Sequence, residues 1–175
     1  MLYDLQARRC VTTVVLTAGD AGTGLDYALS REAGNEAATA WTVGVADTFT
    51  EFSATFGGQP VLVRTLTATP SIQKVYFRLP DGYIDGTGYG VTGFQSLRSL
   101  YFGQIGSITN LPGTATFTLA TLKQALSEII AARRPANIRS LDHLSQYDSG
   151  DHADHLATGK LTAELAAGYS FAGSV

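Results

Sequence analysis

The chain has 175 residues, of which 45% are hydrophobic and 15% charged, so it is one domain's worth of chain with enough apolar surface to bury a core. The net charge of −3 and a pI near 5.5 exclude a general nucleic-acid binder, which needs a basic stripe, and the pairs Arg8-Arg9 and Arg133-Arg134 are too short to form one. A single cysteine, Cys10, excludes an internal disulfide and any Cys-x-x-Cys site, and no apolar run reaches membrane-spanning length.

In chain order, "MLYDLQARRC" reads as the last turns of a helix entering a strand, with no signal-peptide apolar core. The β-branched run "CVTTVVLTAGD" predicts a buried strand over Cys10 to Thr17, with Cys10 a small core residue. Leu25, Leu29, Ala33, Ala37, Ala40 and Trp41 then recur at helical spacing, and Gly44 marks the end of that helix. Two extended runs flank Gly57-Gly58, which predicts a hairpin. "VYFRLPDG" is a further short strand. "GYIDGTGYGVTG" is a glycine-rich loop, "FQSLRSLYFGQ" a short helix and "IGSITN" a small strand. Leu119, Leu122, Leu126, Ile129 and Ile130 form one stripe of a helix that Pro135 stops. "NIRSLD" is expected as a strand and "HADHLATGKLTAELAAGY" as a final helix. There is no internal repeat. Strands alternating with helices predict an α/β domain with a mostly parallel, Rossmann-like sheet and helices on both faces.

In such sheets, chemistry collects at the carboxyl ends of the strands. Asp20, Asp81 and Asp142 each close or follow a predicted strand; singly, such residues are ordinary turn and cap aspartates. The stretch "SGDHADH" carries His152 and His155 three residues apart near a helix start, so both imidazoles share one face. Asp148, Asp151 and Asp154 surround them, as carboxylates do around metal-bound histidines. The plain alternative is a polar helix N-terminus with acidic first-turn residues. His143, the remaining histidine, reads as a flanking loop residue. "GYGVTG" fits G-x-G-x-x-G in letters, but it lies deep in a loop instead of directly after a strand. "GDAGTG" does follow a strand and precede a helix, which leaves a nucleotide-binding reading open, without the Lys-Ser/Thr of a P-loop.

"RCVTTVVLTAGDAG", "SREAGNEAA", "FRLPDG" and "DHADH" stand in an order that resembles the PIG-L/LmbE-like family of zinc-dependent N-deacetylases. The likeness runs over nearly the whole chain, 1–175, as a single domain. It implies hydrolysis of the acetamide of N-acetylglucosamine-type amino sugars, free or in glycolipid-type substrates. It implies His155 as a zinc ligand, His152 as the residue that stabilises the oxyanion or protonates the leaving amine, and Asp154 as the residue that orients His152. Arg31 and Asp81 are implied as substrate contacts. In that chemistry the metal polarises the amide and brings a bound water to a pKa of about 7. A carboxylate accepts the water's proton, and a histidine protonates the leaving amine.

The departure from the family is large. The family's His-Pro-Asp-Asp motif, which supplies two zinc ligands and the general base, has no counterpart here, since no histidine precedes His143. The expectation is therefore an N- and C-terminally incomplete domain lacking its first central strand, with a gap in the sheet or a closure of the flanking strands. Weak zinc binding and little or no hydrolysis should follow. The alternative is a non-catalytic sugar-binding pseudoenzyme that retains Arg31 and Asp81.

Overall fold

The structure, a computed structural model, describes residues 1–169. The tail in which the clipped C-terminal end is expected, 170–175, lies outside the described residues. The chain forms a mixed α/β domain. A short helix α1 (Leu2–Gln6) leads into strand β1 (Val11–Thr17), and helix α2 (Leu25–Val43) follows. Strands β2 (Phe49–Phe56), β3 (Gln59–Leu66) and β4 (Ile72–Leu79) come next. Helix α3 (Leu97–Tyr101), the small strands β5 (Ile108–Thr109) and β6 (Thr116–Phe117), and helices α4 (Leu119–Arg133) and α5 (Ala153–Ala167) complete it. No described helix is long and apolar enough to cross a membrane.

The main sheet has the order β1-β4-β3-β2. Only β1 and β4 run parallel; β4 with β3 and β3 with β2 are antiparallel. The expected mostly parallel sheet is thus corrected to a mixed one. The reason is connection length. A parallel pair needs a long crossover, whereas a tight turn can join only antiparallel neighbours. Gly57 and Gly58, at φ 58° and 74°, both occupy the left-handed region that a two-residue type I′ hairpin requires. A side chain at Gly57 would also meet the carbonyl of Thr121 at 2.2 Å. β1 ends the order, so it is paired along one side only.

Both faces of the sheet are covered. Val75, Phe77 and Leu79 of β4 pack with Leu97, Leu100, Phe117, Leu122, Leu126, Ala157 and Leu161 in the buried layer beneath α3, α4 and α5. Each such buried valine, leucine or phenylalanine side chain contributes about 1.5–3 kcal/mol of apolar transfer free energy. Leu5, Ala40, Val43, Leu66 and Ile72 form a smaller cluster beneath α1 and α2.

Between that cluster and the strand ends, the layer beneath α2 is polar. Glu32 receives two hydrogen bonds from Arg78, at 2.8 and 2.7 Å, and Glu36 accepts from Arg64 at 2.8 Å. Lys74 donates to Asn35. The helix therefore buries Ala28, Glu32, Glu36, Thr39, Ala40 and Val43, so of the stripe that apolarity predicts only Ala40 is buried, and Trp41 is 84% exposed.

Two further expectations are corrected. "NIRSLD" is irregular chain, not a strand, because no neighbouring strand offers its backbone a ladder among the described residues. It lies against α5 instead, with the carbonyl of Asp142 so close that a Cβ at Gly159 would stand 2.3 Å from it. Cys10 is exposed, because it precedes β1 at the amino end of an edge strand.

Candidate functional site

The carboxyl ends of β1 and β4 open into a cleft of about 500 Å³. Its walls include Gly19 and Thr17 from the β1 end, Arg31 and Glu32 from α2, and Asp81 after β4. His152, Asp154 and His155 from the start of α5 complete them. All five residues that the resemblance singles out, Arg31, Asp81, His152, Asp154 and His155, therefore meet in one place.

Local backbone features set these positions. The register between β1 and β4 shifts between Val15 and Thr17, and Arg78 adopts φ 55°, so β4 carries an irregularity just before the site. Such bulges re-aim the chain near functional sites. Asp20 does not line the cleft. It is fully buried below it, where Oδ1 accepts the N–H of Asp81 at 2.9 Å and Oδ2 that of Gly24 at 3.4 Å. Asp20 clasps the β1–α2 loop to the β4 loop, which is the ordinary turn role of an aspartate. The interior of the "GDAGTG" loop is accordingly filled by its own carboxylate.

The β4 loop is stitched to the start of α5. Gly82 N–H donates to Asp154 Oδ2 at 2.9 Å, and Ala153 N–H to the carbonyl of Ile84 at 2.9 Å. A Cβ at position 82 would stand 2.5 Å from Asp154 Oδ1, so the glycine of "LPDG" is required by close approach. Asp154 is only 4% exposed, and burial pushes its carboxyl up to about 6 against the pull of the Gly82 N–H and His152. Its Oδ1 has no hydrogen-bond partner, although the Thr17 hydroxyl is near enough to favour the charged form slightly.

His152 is the N-cap of α5, and its Nδ1 accepts the N–H of Asp154 at 3.2 Å. Its Nε2 lies 3.5 Å from Asp81 Oδ1. The carboxylate of Asp154 stands 3.9 Å from Nδ1, so Asp154 hydrogen-bonds His152 through its backbone N–H, and its side chain acts on the ring through charge alone. Asp81 Oδ1 also accepts the N–H of Tyr83 at 2.8 Å. His155 is half-exposed, and its Nδ1 lies 2.8 Å from Asp151 Oδ1. The two imidazole rings are 5.4 Å apart. Arg31 lies over Gly19, where a Cβ would meet its Nε at 2.8 Å, and 6.0 Å from the ring centre of Tyr27.

The donor set fits a metal ion in part. Asp81, His152 and Asp154 each bring a possible ligand atom within 4.8 Å of the others, and the buried Oδ1 of Asp154 accepts no hydrogen bond, which leaves its lone pairs to a cation. Nothing in this set specifies zinc. His155 lies outside the trio but offers a free ring nitrogen beside it.

The remaining candidates stand apart. Asp142 caps its own loop, accepting from the Leu144 N–H at 2.8 Å and from the Ser145 hydroxyl. His143 is an exposed loop residue whose carbonyl accepts from Lys160 at 3.1 Å. "GYGVTG" forms loop and one 3-10 turn, Gly90–Thr92, and does not follow β4 directly, since β4 ends at Leu79. The polar residues Glu32, Asn35, Tyr76 and Arg78, which extend the cleft under α2, carry no motif that sequence reading could isolate. No family model, no curated protein and no solved structure matches the chain.

Proposed function

We propose that the cleft binds an N-acetylglucosamine-type amino sugar, and that the chain is an N-deacetylase-type domain with little or no hydrolytic activity as it stands. The observation that supports this is the meeting of Arg31, Asp81, His152, Asp154 and His155 in one cleft of about 500 Å³, a volume within the usual range for small-molecule sites. Arg31 and Asp81 present a cation and a carboxylate to sugar hydroxyls, and His152 stands beside Asp81, where an acetamide could meet a proton donor.

A zinc ion would be held here by His155, and when bound it would polarise the acetamide carbonyl and acidify a water. The neighbouring trio Asp81, His152 and Asp154 adds possible ligand atoms, but each of the three side chains already accepts a backbone N–H, so weak affinity is expected. The proton acceptor is also wanting. Of the three carboxylates that line the cleft, Glu32 is held by Arg78, Asp81 accepts the Tyr83 N–H through Oδ1 and Asp154 the Gly82 N–H through Oδ2, so each is at least partly engaged within the fold. That engagement also favours the second reading, a sugar-binding protein without metal.

Calorimetry with N-acetylglucosamine should give roughly millimolar affinity, about 4 kcal/mol. Arg31→Ala should weaken it at least tenfold, about 1.4 kcal/mol. Acetate release in the presence of zinc should stay at background. Saturable binding unchanged by Arg31→Ala, or no binding at all, overturns the sugar reading. Zinc-dependent acetate release lost on His155→Ala overturns the inactivity.

A further inference from the structure

We propose that the two imidazoles of the cleft are locked in opposite tautomers, with Asp151 the positioning residue that leaves Nε2 of His155 bare for a metal ion. The metal-binding half of this rests on the reading of His155 as a ligand. The tautomers themselves follow from donor and acceptor chemistry alone.

A backbone N–H can only donate. The N–H of Asp154 points at His152 Nδ1 from 3.2 Å, so that nitrogen holds a lone pair, and the proton of the neutral ring sits on Nε2. The Nε2–H then faces Asp81 Oδ1 at 3.5 Å. An ionised carboxylate can only accept. Asp151 Oδ1 lies 2.8 Å from His155 Nδ1, so that nitrogen carries the proton and Nε2 is bare. The same Oδ1 accepts the N–H of His152 at 2.7 Å, so the helix N-cap residue holds Asp151 in place.

The consequence is a division of labour between two histidines on one helix turn. His155 is set as a Lewis base, in the carboxylate–histidine arrangement that orients metal ligands. His152 is set as a hydrogen-bond donor. Asp151 and His155 are both largely exposed, and exposed pairs do little for stability. Replacing Asp151 should therefore leave the fold intact.

The test is nitrogen-15 NMR of the three histidine rings at pH 8, above the usual histidine titration, on the full chain and on Asp151→Ala. In the wild type, His155 should show the Nδ1–H form and His152 the Nε2–H form. In Asp151→Ala, His155 should revert to the Nε2–H form that prevails in water, with the His152 ring in its Nε2–H form as before and backbone changes confined to the residues beside position 151, where the His152 N–H loses its acceptor. Zinc titrated against the His155 signals should show its midpoint raised about 10–100-fold in the variant. An Nε2–H form at His155 in the wild type, or no change of tautomer in Asp151→Ala, overturns the proposal. If the tautomers are as expected but His155→Ala leaves zinc affinity unaltered, only the ligand reading fails.

Discussion

Replacing Glu32 by methionine should cost about 3–5 kcal/mol of stability, because it leaves the guanidinium of Arg78 buried without its partner. The two side chains are only 5% and 15% exposed and meet in a two-pronged contact at 2.8 and 2.7 Å. The loss is large against the whole stability of a domain, about 5–15 kcal/mol. The double variant Glu32→Met/Arg78→Met should recover most or all of it, since an apolar pair of similar volume carries no desolvation penalty. Urea denaturation of both variants checks this. A single variant as stable as the wild type would show that the interlayer beneath α2 is wet enough to solvate Arg78.

The second large effect belongs to Lys74, which is buried on β4. It touches Asn35 of α2, lies opposite Arg64 of β3 in the strand register, and sits close enough to Glu36 for that carboxylate to favour its charge. Burial outweighs Glu36 and lowers its pKa from 10.5 to about 8. The unfolded chain thus holds the proton more tightly than the folded one. The penalty is full below pH 8, on the order of 3 kcal/mol. It is relieved as pH rises from about 8 to about 10.5, because stability rises with pH wherever the unfolded state binds more protons. Lys74→Met should therefore change stability by an amount that depends on pH. Its advantage over the wild type should be largest at pH 7 and should shrink steadily by pH 10. Denaturation curves at both values decide the matter, and a difference that stays constant between them would place Lys74 in water.

The same interlayer shows where sequence reading stopped. The stripe Leu119, Leu122, Leu126, Ile129 and Ile130 reported the buried face of α4 nearly correctly, because its partners are apolar. The face of α2 was misjudged, because apolarity alone ranks Trp41 above Glu32 and Glu36. The reason to bury those glutamates lies on other elements, at Arg64 and Arg78. Gly57-Gly58 announced its hairpin, yet the mixed sheet that the hairpin imposes was not drawn from it. "NIRSLD" has strand-like residues, and a strand without a neighbour is only extended chain.

The placement of the candidate residues was more legible than the sheet. Asp81, His152 and His155 were expected on one edge and stand on one cleft wall. Asp20 was expected beside them and serves beneath them. Asp142 was expected there through a strand that does not form. What no spacing could reveal is the orientation of each ring. His-x-x-His gives two imidazoles on one face, and only the contacts of Asp151 and of the α5 N-terminus distinguish them.

The central claim is that one cleft, built from Arg31, Asp81 and the two histidines of α5, receives the sugar. Histidine ring signals followed during addition of N-acetylglucosamine test it most directly, because His143 lies outside the cleft lining and serves as an internal control. The signals of His152 and His155 should move together and saturate, those of His143 should stay fixed, and Arg31→Ala should raise the midpoint of the movement at least tenfold. Rings of His152 and His155 that do not respond at saturating sugar, or a response shared equally by His143, would contradict the claim.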